Sequence, residues 1–264
     1  MSYVLVALDD SAATAPVLAV AQWFASLLDI EVRALHVTKD DTGATARAVA
    51  DAAHVRFTVG HGDPVSVVCA AADTADVRAV AIGARSIPAS KMPAGHVALD
   101  LVCGITRPVL VVPPDVRVPS GTCVRVLAPI DEHLGSSVAL RELLTQMRPA
   151  ETEVVLLRVF DAEHMPAFSN HAPHEADAFA QELTLRGIAS LAIESRVETR
   201  VGNPAHAILA AEHELACDLV VLAWNRYLSD HHASVVRRLL ARYDHTTDPL
   251  TRGGQPGHAQ LARQ

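Results

Sequence analysis

The sequence predicts an α/β protein built as two tandem doubly wound parallel-sheet domains, and three observations predict it. The first is a repeat. Asp9, closing the apolar run Val4-Leu5-Val6-Ala7-Leu8, returns as Asp131 after Val126-Leu127-Ala128-Pro129-Ile130, and Leu35-His36-Val37 returns as Leu157-Arg158-Val159, both at an offset of 122 residues. Gly62-Asp63-Pro64 reappears as Gly202-Asn203-Pro204, and Val80-Ala81-Ile82 as Val220-Val221-Leu222, at an offset of 140. A duplication with one 18-residue insertion explains both offsets, whereas chance matches would not hold a constant offset on each side of a single break. The second observation is that the runs are continuous in Val, Ile, Leu and Ala, as in strands buried on both faces. The third is that segments of helical length separate them, the alternation that winds a parallel sheet.

In the first half, strands are expected at Tyr3 to Leu8, Val32 to Val37, Val55 to Val59, Val77 to Ile82 and Pro108 to Val112. Helices fall between them at Ala12 to Leu28, Ala44 to Ala53, Pro64 to Asp73 and about Gly95 to Cys103. The second half opens the same way, with a strand at Cys123 to Ile130, a helix at Ser136 to Met147 and a strand at Glu153 to Val159. It continues through Asp177 to Gly187, Ala192 to Thr199, Pro204 to Leu215, Asp218 to Ala223 and a helix around Val235 to Tyr243. A counterpart of Pro108-Val109-Leu110-Val111-Val112 does not follow. Asp248-Pro249-Leu250-Thr251-Arg252-Gly253-Gly254 has too few apolar residues for a central strand, so the second domain is expected to lack its last strand or to use a vestige of it. These readings divide the chain into a first domain at 1–114, a proline-stiffened linker at 115–121, a second domain at 122–252 and a flexible tail at 253–264.

Half of the 264 residues are hydrophobic and a fifth are charged, enough apolar side chain for two ordinary cores. The net charge of −8 argues against a general nucleic-acid binder, which needs a basic face to displace counterions. Arg237, Arg238 and Arg242 form the one compact basic cluster and read as a solvated helix face. The chain enters its first strand with no basic leader and no long apolar segment, so a cytoplasmic protein without membrane spans is expected. Cys69, Cys103, Cys123 and Cys217 have no C-x-x-C spacing and read as small buried hydrophobes.

A strand ending in Asp, followed by Ser11 and a long helix, a Leu-His-Val second strand, Gly-x-Pro before the next helix, and an apolar strand running into Gly83-Ala84-Arg85 together resemble the universal stress protein family. The resemblance covers nearly the whole chain twice, as in members with two such domains, and rests on order and spacing: Gly62 to Gly83 and Gly202 to Ala223 are both 21 residues apart. It implies a Rossmann-like (HUP-like) fold. Nucleotide-binding members carry Gly-x-x-Gly, about nine residues, then Gly-Ser or Gly-Thr after the fourth strand. Glycines there let the backbone approach phosphate, and exposed N–H groups hold the charge.

The first half offers Gly83-Ala84-Arg85-Ser86, eight residues, then Gly95-His96-Val97, keeping two of the three glycines. Ser86 stands in place of the second glycine and His96 in place of the hydroxyl residue. The second half has Ala223-Trp224-Asn225-Arg226 and Ala233-Ser234-Val235, without a glycine, and reads as a degenerate pocket. The resemblance implies ATP, with Mg2+, as the ligand of the first half. Its expected contacts are Ala7, Asp9, Val37, Gly83, Arg85, Ser86, Gly95, His96 and Val97, with Asp131, Val159, Asn225, Arg226 and Ser234 as second-half counterparts. Asp9 has two readings: a carboxylate for a ribose hydroxyl, or a cap on the following helix, with Asp10 and Ser11 available to take the capping instead. A regulatory, non-enzymatic protein is expected, partnered by adenine nucleotide and by a protein or a second copy of itself, with the fifth strand as contact edge. A module that binds no nucleotide, with both pockets degenerate, is the alternative.

Enzyme signatures are absent from the sequence: it has no G-x-x-x-x-G-K-[ST], no G-x-S-x-G and no H-E-x-x-H. The insertion at 161–177 carries His164, His171 and His174 with Asp161 and Glu163, and its loose spacing favours a polar lid over a metal site.

Overall fold

The structure is a computed structural model that describes residues 1–11, 13–38, 43–84, 96–113, 116–120, 123–130, 134–148, 151–160, 193–223, 231–242 and 259–263. The first half runs β1 (Tyr3–Leu8), α1 (Thr14–Leu27), β2 (Glu31–Thr38), α2 (Ala44–Ala52), β3 (Arg56–His61), α3 (Pro64–Ala72), β4 (Val77–Gly83), α4 (His96–Gly104) and β5 (Val109–Val112). The second runs β6 (Val124–Pro129), α5 (Leu134–Leu144), β7 (Thr152–Phe160), β8 (Glu194–Val201), α6 (Pro204–Glu214), β9 (Leu219–Ala223) and α7 (His231–Arg242), and β10 (Ala259–Arg263) follows. Apart from β10, each described element overlaps the segment where the apolar runs placed it. The helix expected at 177–187 and the histidine-rich insertion fall outside the described residues.

The ten described strands form one sheet in the order β3-β2-β1-β4-β5-β10-β9-β6-β7-β8. Every pairing is parallel except β5 with β10. In the first half the chain winds outward from β1 through β2 to β3, crosses back, and continues on the other side with β4 and β5. The second half repeats this as β6, β7, β8, then β9. The winding therefore reverses twice, between β1 and β4 and between β6 and β9.

Side chains alternate across the sheet, and both faces are covered. Val4, Val6 and Leu8 point to the layer of α1, α2 and α5, whereas Leu5, Val80 and Ile82 point to α3, α4, α6 and α7. Each apolar layer runs through both halves without a break, which is why the strands read as continuous apolar runs. Burying a side chain of this size contributes roughly 1.5–3 kcal/mol, and Phe24, Leu18, Leu127 and Leu156 are all but fully enclosed. Arg148 adds a tie between the halves: its backbone N–H donates to the Leu27 carbonyl at 3.2 Å.

The Gly-x-Pro motif proves to be a helix-start device used twice. Gly62 and Gly202 both sit at φ +129°, and the next residue caps the helix: the Asp63 carboxylate accepts from Ser66 N–H at 2.9 Å and the Asn203 side-chain oxygen from His206 N–H at 3.3 Å. Pro64 and Pro204 then open α3 and α6, where a missing N–H costs nothing.

The fifth strand is not an open edge: it pairs within the chain, and its partner comes from an unexpected segment. The second half supplies four strands of its own, and β10 takes the position beside β9. Composition alone marks 253–264 as a tail; residues 259–263 instead close the gap between two apolar edges, antiparallel to β5 and parallel to β9. Both edges would otherwise leave rows of backbone donors and acceptors unpaired. The four cysteines are free, and burial pushes the Cys217 thiol up to about 12.

Candidate functional site

The carboxyl ends of β1 and β4 part at the first winding reversal, the place where open α/β sheets form a crevice. A cavity of ≈ 280 Å³ lies there. Five of the expected residues line it: Ala7 and Asp9 from the end of β1, Val37 from β2, Gly83 from β4 and Val97 from α4. Its walls are mostly apolar, with Leu35, Val68, Ile82 and Leu101 between them. Val97 and Ala98 belong to the first turn of α4, so that helix borders the cavity with its N-terminal end, where backbone N–H groups lack intrahelical partners.

Asp9 is held in place by its own turn. One carboxylate oxygen accepts from Ser11 Oγ at 2.6 Å and from Ser11 N–H at 3.2 Å, and the Thr14 hydroxyl lies 3.2 Å away. Thr14 also donates to the Asp9 carbonyl. Asp9 thus organises the entry to α1, which has no side-chain cap of its own, while remaining on the cavity wall. Asp10 does not take over that duty, as the sequence had allowed. Its carboxylate reaches across to α2 and accepts from Ala46 N–H at 2.9 Å, which holds its carboxyl below the usual range.

His36 is the lining residue that sequence reasoning read only as part of a strand. It is 5 % exposed, and its Nδ1 lies 2.9 Å from the Leu8 carbonyl, a bond that requires the proton on Nδ1. Nε2 has no hydrogen-bond partner among the described residues. The ring packs against Gly43, whose place at φ +62° leaves just enough room for it.

Arg85, Ser86 and Gly95, which would border the phosphate end, lie outside the described residues, as do Asp131, Asn225 and Arg226. His96 opens α4 and Ser234 lies within α7. Val159 is half-buried in β7 beside Arg200 of β8. A larger concavity of ≈ 810 Å³ opens at the amino ends of β2 and β3, lined by Arg33, Asp51, His54 and Arg56 among others. It is an open groove between helix ends with charges of both signs, and the strand-end cavity matches the fold's ligand position better.

Residues 124–243 match the Universal stress protein family. No curated protein matches the sequence. A crystal structure of a universal stress protein from Archaeoglobus fulgidus DSM 4304 is similar over 99% of this chain and 96% of that one, at 16% identity and a TM-score of 0.61. A functionally unknown protein from Pseudomonas aeruginosa PAO1 is similar over 100% of this chain and 92% of that one, at 12% identity and a TM-score of 0.63. At such identities the likeness is one of fold, and it extends through both halves. The family match falls on the half without phosphate-loop glycines.

Proposed function

We propose, because residues 124–243 match the universal stress protein family and the first half winds the same way, that the chain is a stress-response regulator that binds an adenine nucleotide, ATP with Mg2+, in its first half. The observation that carries this reading is the cavity at the first winding reversal, with Ala7, Asp9, Val37, Gly83 and Val97 on its walls.

The residues present fit the adenosine end. A flat base needs an apolar slot, which Val37, Ile82 and Leu101 offer, and a ribose needs an acceptor at the rim, which Asp9 offers. Gly83 brings bare backbone to the cavity, and the first turn of α4 supplies the positive end of a helix toward a phosphate. Bound Mg2+ would neutralise the polyphosphate. The protein's own part in this reading is to bind and orient the nucleotide. Occupancy would bias association with a protein partner.

Isothermal calorimetry with ATP and magnesium tests the proposal, and native mass spectrometry of fresh protein shows whether a nucleotide is carried through purification. Absence of heat at millimolar nucleotide with a folded sample rejects it. A non-nucleotide scaffold module is the second reading, favoured by the Ser11 bonds that already engage Asp9 and by Ser86 and His96 in the loop.

A further inference from the structure

The last strand of the sheet on the second-half side is β8, whose described strand neighbour is β7 alone. Its sequence, Glu194-Ser195-Arg196-Val197-Glu198-Thr199-Arg200-Val201, alternates acid and base on one side of the sheet. That side is the one carrying α6, since Arg200 Nη2 meets Glu214 Oε2 of α6 at 3.2 Å. Val197 points the other way, into the layer of α1, α2 and α5.

We propose that β8 is an interface for a second copy of this chain, pairing antiparallel with its own counterpart about a two-fold axis at Val197. In that register Glu194 faces Arg200 of the other copy and Arg196 faces Glu198. The two-fold repeats both pairs, giving four oppositely charged neighbours and no like-charged ones. Ser195 faces Thr199, and Val201, which is 61 % exposed, faces Ile193. Directly opposed residues lie on the same side of a sheet, so all four charge pairs meet on the α6 side.

The register is selected by the charges. Sliding one strand by two residues sets Glu194 against Glu198 and Arg196 against Arg196, or Arg196 against Arg200 and Glu198 against Glu198, and like charges directly opposite are unfavourable. Charged edges ordinarily deter strand pairing with unrelated chains. Here the alternation leaves one sequence that it fits, its own, which is the self-complementarity a two-fold interface demands. The edge at the far end of the sheet, β3, has Arg56, Thr58 and Gly60 on one side and Phe57, Val59 and His61 on the other, and lacks this match. The backbone ladder supplies the attraction and the charges supply the choice of partner, as in other strand-addition interfaces.

Sedimentation equilibrium of the full chain tests this with two charge variants. E194K/E198K makes the row entirely basic and R196E/R200E makes it entirely acidic. The wild type is expected to show a concentration-dependent dimer. Each variant alone is expected to dimerise at least about tenfold more weakly, and a one-to-one mixture to recover a dimer containing one of each. Circular dichroism establishes that each variant is folded, and E194K alone, at an exposed position, serves if a double variant is not. A wild type that stays monomeric at the highest concentration reached overturns the proposal. So do variants, or E194K, that dimerise as the wild type does, and a mixture that stays monomeric.

Discussion

The carboxylate of Asp10 accepts a hydrogen bond from the backbone N–H of Ala46, 2.9 Å away and 36 residues later in the chain. Ala46 is the third residue of α2, whose N-cap is Gly43 and therefore has no side chain to offer. The residue two beyond the end of β1 thus caps α2 from outside that helix.

Replacing Asp10 by Ala removes that acceptor and is expected to lower thermal stability at neutral pH. The hydrogen bond from Ala46 is the main cause of the lowered Asp10 pKa. In the unfolded chain the group titrates near 3.8, so its contribution is present in full above that pH and disappears as pH falls through the lower folded value. Melting curves of wild type and D10A should differ at pH 7 and converge in acid. Curves separated equally at both pH values would show that the charge plays no part.

Gly43 and His36 give a second prediction. Gly43 is at φ +62°, and a Cβ built there would lie 2.3 Å from His36 Cδ2. Gly43→Ala therefore meets both a backbone cost of about 1–2 kcal/mol and a clash with a buried ring, which overpacking data place at about 1–3 kcal/mol. Urea unfolding should show a loss of about 2–5 kcal/mol. In an H36A background the clash is gone and only the backbone cost should remain, so the two changes should be non-additive. Additive losses would mean that the ring has no part in requiring glycine.

What the sequence revealed follows from which interactions are local. Repeat, winding and core were legible because two-sided burial imposes continuous apolar runs, and the Gly62-Asp63-Pro64 start was legible because its cap reaches three residues ahead. Ala7, Asp9, Val37, Gly83 and Val97 were brought together because they sit at strand ends and a helix start. The Asp10 cap and the His36–Gly43 contact were not legible, since each joins residues distant in the chain that no local pattern links. β10 escaped for a related reason: Ala259 to Arg263 are too few to make a local pattern, and they pair with β5 and β9, both distant in the chain.

The proposed site separates the halves experimentally. Gly83 lines the first cavity, whereas Ala223 occupies the same place in the repeat where the glycines are gone. Gly83→Leu should abolish the calorimetric response to ATP, and Ala223→Leu should leave it within about twofold, because a side chain at Gly83 fills the space where backbone must approach phosphate. Equal losses in both variants would place the binding elsewhere or trace it to general destabilisation, which melting curves distinguish.

Deleting Ala259 to Gln264 tests whether β10 is part of the core. Val109, Leu110, Val111 and Val112 of β5 are each at most 3 % exposed, and β10 pairs with β5 on one side and with β9 on the other. Without it, two apolar strands would face water with open backbone edges, and the truncated chain should melt lower by about 5 °C or more and self-associate. The association would differ from pairing through β8 in that E194K/E198K should not suppress it. Dynamic light scattering on the truncated chain with and without those substitutions reads both effects. A truncated chain that melts with the wild type and stays dispersed would show that β5 and β9 hold the two halves together without the strand between them.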